Sequence, residues 1–83
     1  MTYKPEIPSQ IRHFILEKFP LARQQSLHDE DALLDGGIVD SLGVLELVAF
    51  VEDRFGVVVE VDDLQPENFQ SIARLATFVE AKV

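Results

Sequence analysis

Apolar residues recur at helical spacing in three stretches of this chain. In the first, Ile7, Ile11, Phe14 and Ile15 mark one face. Pro8 suits a helix start, because the first helical N–H needs no partner, and Pro20 stops the run. This spacing predicts a helix over residues 8–19, after a loose lead-in over 1–7. In the second stretch, Val44, Leu47, Val48, Val51 and Phe55 form a stripe. It predicts a helix from Asp40 or Ser41 to Phe55, with Gly56 as its stop signal. In the third, Ser71 is a good N-cap, and Ile72, Leu75, Ala76, Val79 and Val83 mark a buried face.

The stretches between are less regular. Residues 20–39 form a long connection with a turn-favouring Gly36-Gly37 pair. Its Leu27, Leu33, Leu34 and Ile38 predict packing on the core, and a loop this long in a small domain usually has a function. VVVEV, residues 57–61, reads locally as a strand, but the chain has no second β-like run to pair with it. It is therefore expected to be an extended connector whose valines fill the core. A short helical turn is expected around Val61 to Leu64, closed by Pro66. The expected fold is one all-α domain over residues 1–83, a small helical bundle.

Composition narrows the function. A chain of 83 residues buries only about 60–65% of its unfolded surface, and with no cysteine it has no disulfide to help. Seven basic against 15 acidic residues give a net charge of −8. That charge argues against nucleic acid and anionic membranes as ligands and favours a basic partner. MTYKPEIPSQ lacks the apolar centre of a signal peptide, and LVAFV, residues 47–51, is too short to span a bilayer. A soluble, cytoplasmic, monomeric protein is expected.

Leu42 and Ala49 fall off the core stripe, beside Glu46 and Asp53. Such a mixed patch either holds singly exposed apolar residues or docks on a basic, partly apolar surface.

Catalysis by the chain itself is poorly supported. The only histidines are His13 and His28, and no third group is evident to orient either as a base for Ser41. In DEDALLDGGIVD, residues 29–40, an EF-hand reading fails, because Leu33 and Leu34 occupy the positions that need an oxygen ligand and glycine. Gly36-Gly37 is no phosphate loop, as no lysine follows, and PEIP is explained by helix entry. Ser41 remains. Free N–H groups and the helix dipole favour a negative group there, so a phosphodiester would be welcome. Asp40 beside it is suited to a divalent cation. These features fit a capping serine as well as a point of covalent attachment.

GGIVDSLGVLELV, residues 36–48, resembles the attachment motif of acyl carrier proteins. The similarity extends through FGV at 55–57 and DDLQPENFQSIARLATFV at 62–79, and is loose over the first helix. The resemblance implies an antiparallel four-helix bundle with a short third helix. It implies that Ser41 carries 4′-phosphopantetheine, whose thiol holds cargo as a thioester, and that Asp40 helps hold magnesium in the complex with the phosphopantetheinyl transferase. It places Leu42 and Glu46 in partner docking, with Ala49, Glu52 and Asp53 extending that face. It implies partner enzymes that load and condense acyl or aminoacyl groups, with basic docking surfaces, in fatty-acid, polyketide or specialised biosynthesis. Two departures bear on partner choice. Val61 stands where many relatives are polar or acidic, and Ala49 is smaller than the usual docking residue. The chain resembles free-standing carriers, aminoacyl carriers of specialised pathways at least as much as the general fatty-acid carrier. The competing expectation is a docking module of the same fold that works without the prosthetic group.

Overall fold

In the computed structural model, residues 6–24 and 26–83 are described. Ile7, Ile11 and Ile15 share the buried face of α1 (Ile7–Lys18), and Pro8 sits in its first turn. Ile7 thus belongs to the helix and not to the lead-in, whose residues 1–5 lie outside the described part. The helix ends where Phe19 turns extended, with φ −118° and ψ 104°, as the residue before a proline prefers. Pro20 does more than stop α1, because it opens a single helical turn, α2 (Pro20–Arg23). The Arg23 guanidinium reaches back to donate to the carbonyls of Leu16 and Glu17, at 3.0 and 3.2 Å. Carbonyls left without partners at the end of α1 are thereby satisfied.

The long connection packs on the core as expected. Leu27, Leu33, Ile38 and Val39 are buried. The Arg12 guanidinium donates to the Asp29 carboxylate and the Leu27 carbonyl. The Leu33 amide donates to Gln70 at 2.7 Å, the Ala73 amide to Asp29 at 2.9 Å and the Val39 amide to Leu33 at 3.0 Å. These bonds tie the approach to Ser41 to the C-terminal third of the chain.

Helix α3 (Ser41–Phe55) ends at Gly56, whose φ of 70° is left-handed and suits glycine. Leu47 and Val51 are buried, while Val44, Val48 and Phe55 are half-buried against the core. Phe50, off the expected stripe, stacks on Phe14 of α1 with ring centroids 4.3 Å apart.

Residues 57–60 are extended, and no strand occurs among the described residues. Only Val57 is buried and Val59 half-buried, whereas Val58 and Val61 face solvent. Alternate side chains of an extended segment point opposite ways, so the four valines cannot all fill the core. Two 3₁₀ turns follow, Val61–Asp63 and Pro66–Phe69. Pro66 opens the second turn instead of closing the first, and the two together stand where a short third helix is implied. Ser71 caps α4 (Ile72–Lys82), accepting the Arg74 amide at 3.1 Å. Val83 lies past the last helical residue and is exposed, not buried. The fold is an all-α, antiparallel four-helix bundle. No helix among the described residues is long and apolar enough to cross a membrane.

Candidate functional site

The first turn of α3 separates two roles that the sequence leaves merged. Asp40 has the extended backbone of an N-cap, and its Oδ1 accepts the Gly43 amide at 2.8 Å. Ser41 is the first helical residue. It is exposed, and among the described residues no hydrogen bond engages its hydroxyl. The capping reading of Ser41 therefore gives way: Asp40 caps, and a residue already inside the helix no longer has the cap's geometry.

Gly43 lets this turn sit close to its support. A Cβ there would lie 2.7 Å from Phe19 Cε1 and 2.8 Å from Val39 Cγ1. Beside Ser41 is an open depression of about 250 Å³, lined by Leu34, Val44, Leu64, Gln65, Pro66 and Phe69. The N-terminus of a 15-residue helix carries partial positive charge. An uncommitted hydroxyl at that end, with room around it, fits a phosphodiester-linked arm.

Helical geometry sorts the expected docking residues. At about 100° per residue, Leu42, Glu46, Ala49 and Asp53 form one stripe, and all four are exposed. Glu52 lies about 80° away, on the stripe of Ser41, Leu45 and Val48. It is half-buried, and its carboxylate accepts the Val59 amide at 2.9 Å. The structure thus groups four of the five and gives Glu52 a second task, anchoring the extended segment to α3. Leu45 is an exposed residue near Ser41 that the core pattern passes over; its i+4 spacing from Ser41 is the available signal. A groove lined by Phe14, Lys18, Glu46, Ala49, Phe50 and Asp53 takes in part of this stripe and continues it towards α1. The two histidines pair with local acids, His13 with Glu17 at 3.1 Å and His28 with Asp31 at 3.6 Å, and neither lines the depression at Ser41.

Residues 9–79 match a family model described as a phosphopantetheine attachment site. The chain belongs to the phosphopantetheine-binding carrier family. An acyl carrier protein of Thermotoga maritima is 31% identical over 83 residues, covering 100% of this chain and 99% of that protein. A D-alanyl carrier protein of Streptococcus suis is 31% identical over 65 residues, covering 78% of this chain and 81% of the relative. The solved structure of apo KstB-PCP superimposes with a TM-score of 0.72 at 36% identity, over 95% of this chain and 88% of that one. The covalent cofactor of this carrier is 4′-phosphopantetheine. Carriers of this type work with a phosphopantetheinyl transferase and with biosynthetic enzymes.

Proposed function

We propose that Ser41 is the attachment point and that the chain is a non-catalytic carrier of thioester-bound cargo. One observation carries this reading: the Ser41 hydroxyl is exposed and uncommitted at the start of α3 while its neighbour Asp40 supplies the cap. Ser41 contributes the oxygen of the phosphodiester. Asp40 Oδ2 accepts no hydrogen bond among the described residues, which leaves it open to magnesium in the transferase complex. When bound, the cofactor supplies a thiol that this cysteine-free chain lacks. Leu42, Glu46, Ala49 and Asp53 form the docking stripe, steering basic partner surfaces through acidic charge. Glu52 contributes behind that stripe by holding the segment after α3. Tethering raises the cargo's effective concentration at each docked enzyme to the millimolar scale.

Intact mass after incubation with coenzyme A, magnesium and a broad-specificity transferase tests the assignment. One phosphopantetheine on the native chain and none on Ser41→Ala is the expected result. No gain on the folded native chain would return the docking-module reading to first place.

We favour an aminoacyl or other short cargo over a long acyl chain. The depression beside Ser41 is only about 250 Å³, and the core residues Leu33, Leu47 and Phe69 are fully buried. A D-alanyl carrier is also among the relatives. Alanyl- and octanoyl-pantetheine forms, made with the transferase from the matching coenzyme A thioesters, separate the two. Methyl resonances of Leu47 and Val51 should stay in place in both. Octanoyl-specific shifts there would favour a long chain sheltered between the helices.

A further inference from the structure

Residues 26–40 contain no helix or strand, so their position depends on bonds to the rest of the chain. Burial of Leu27, Leu33, Ile38 and Val39 holds this connection inward but is non-directional. Hydrogen bonds fix its register. The Leu33 amide bond to the Gln70 carbonyl and the Ala73 amide bond to the Asp29 carbonyl tie it to the start of α4. Among the described residues, Arg12 alone ties it to α1 by hydrogen bonds. One terminal nitrogen of its guanidinium donates to the Leu27 carbonyl and the other to the Asp29 carboxylate, so a single planar fork spans both. The connection is stiff at that point. The His28 amide donates to the Asp31 carboxylate at 2.8 Å, and the Asp31 amide to the His28 carbonyl at 3.1 Å.

The two anchors meet at Asp29, whose side chain is held by α1 and whose carbonyl is held by α4. From there the chain runs to Leu33, whose carbonyl accepts the Val39 amide at 3.0 Å and closes residues 33–39 into a loop. Val39 then lies under the first turn of α3, since a Cβ at Gly43 would meet its Cγ1 at 2.8 Å. A continuous path of bonds and contacts thus leads from Arg12 to the turn that carries Ser41. The Arg12 and Asp29 side chains are 33% and 45% exposed. A pair this open adds little to global stability, which leaves the placement of the connection as its larger effect.

We propose that Arg12 is a positioning residue for the modification of Ser41. Its clasp on Leu27 and Asp29 holds the connection against α1, keeps Val39 seated beneath the first turn of α3 and so places the Ser41 oxygen. In the transfer that oxygen bonds to the phosphorus beside the pantetheine arm of coenzyme A. The bond from that phosphorus to the bridging oxygen breaks, 3′,5′-ADP leaves with the electron pair, and the hydroxyl proton is released. Attack needs oxygen and phosphorus within about 3–3.5 Å, and a misplacement of about 1 Å costs up to about a hundredfold in rate. The role rests on Ser41 being the attachment point.

Initial rates of modification of the intact apo chain, with coenzyme A, magnesium and the broad-specificity transferase, test it beside hydrogen exchange of the backbone amides. Arg12→Met keeps the apolar stem and removes the fork. It should lower kcat roughly three- to tenfold with KM within about twofold. The Leu33 and Val39 amides should exchange about tenfold faster, while those of Leu47, Val51 and Leu75 stay near native. Asp29→Asn weakens the same clasp from the other side, so the double variant should be no slower than Arg12→Met alone. Arg12→Lys, with a single charged nitrogen, should recover part of the rate. Arg74→Met removes an exposed positive charge from α4 and should leave both kcat and exchange unchanged. A native kcat for Arg12→Met, additive losses in the double variant, or exchange that rises equally in the helices would overturn the positioning role while leaving attachment intact. A native chain that takes no phosphopantetheine would overturn both.

Discussion

The Asp40 carboxylate accepts the Gly43 amide at 2.8 Å, one residue before a serine whose hydroxyl no hydrogen bond engages among the described residues. On the proposed reading, structure and chemistry are divided between neighbours. Asp40→Ala should lower stability by about 1 kcal/mol in urea denaturation, the usual cost of a lost N-cap, whereas Ser41→Ala should stay within about 0.5 kcal/mol. Asp40→Asn keeps a capping oxygen and loses the charge. Its stability should be near native while modification slows and needs more magnesium. Equal destabilisation by Asp40→Ala and Ser41→Ala would mean that the serine shares the cap.

Gly43 tests how tightly this turn is seated. In an exposed helix interior, alanine is favoured over glycine by up to about 1 kcal/mol. Here the added Cβ meets Phe19 at 2.7 Å and Val39 at 2.8 Å. The Phe19 ring is half-exposed and can yield, but Val39 is buried at the foot of the turn. Overpacking of this kind costs about 1–3 kcal/mol, so Gly43→Ala should destabilise by about 1 kcal/mol net. It should also slow modification, because the turn that moves carries Ser41. A chain more stable than native would show that the support gives way freely.

The Asp63–Lys82 pair sets a pH window. The Lys82 hydrogen bond, then that from the Glu60 amide, holds the Asp63 carboxyl below the usual carboxylate range. Its contribution is present above the ordinary aspartate value of about 3.9 and is lost as pH falls through the lowered one. Lys82 is held above its ordinary value by Asp63. Its contribution is complete below about pH 10.4 and is lost as pH rises through the raised value. The difference in urea midpoint between native and Lys82→Met chains should therefore be constant from about pH 5 to 9 and shrink on either side. A difference independent of pH would assign the effect to packing of the lysine stem on Phe78.

Charge repulsion should be visible in the melting temperature. The molecule has a radius of gyration of 11.8 Å and carries −8. At 0.01 M salt the screening length is about 30 Å, so every acid feels the others; at 0.15 M it is about 8 Å. Moderate salt or magnesium should raise the melting temperature by a few degrees. A flat response across this range would mean that the acids are too dispersed to repel.

The helices α1, α3 and α4 were legible in the sequence because each carries an uninterrupted apolar face with clear end signals: Pro8, Gly56 and Ser71. Those signals act through local backbone geometry and need no distant partner. The motif around Ser41 was legible only as a resemblance carried by the longer run GGIVDSLGVLELV, because the local features of DSL fit a cap as well as an attachment point. The one-turn helix at Pro20 was not. Four residues carry no periodicity, and this turn is held by Ala22 in the core and by Arg23 on carbonyls of α1. The fate of VVVEV was half legible. Pairing logic excluded a strand, but which valines go inward depends on the Glu52–Val59 anchor.

By itself the sequence determined an acidic, cysteine-free helical chain with a serine at the head of its second long helix. Only the tertiary structure decided that Glu52 anchors Val59, that Lys82 holds Asp63 and that Leu64, Gln65 and Pro66 line the depression beside Ser41. Each of these turns on contacts between residues brought together by packing, and local spacing does not encode them. Val59 finds Glu52, and Lys82 finds Asp63, only once the 57–66 segment has been laid between α3 and α4.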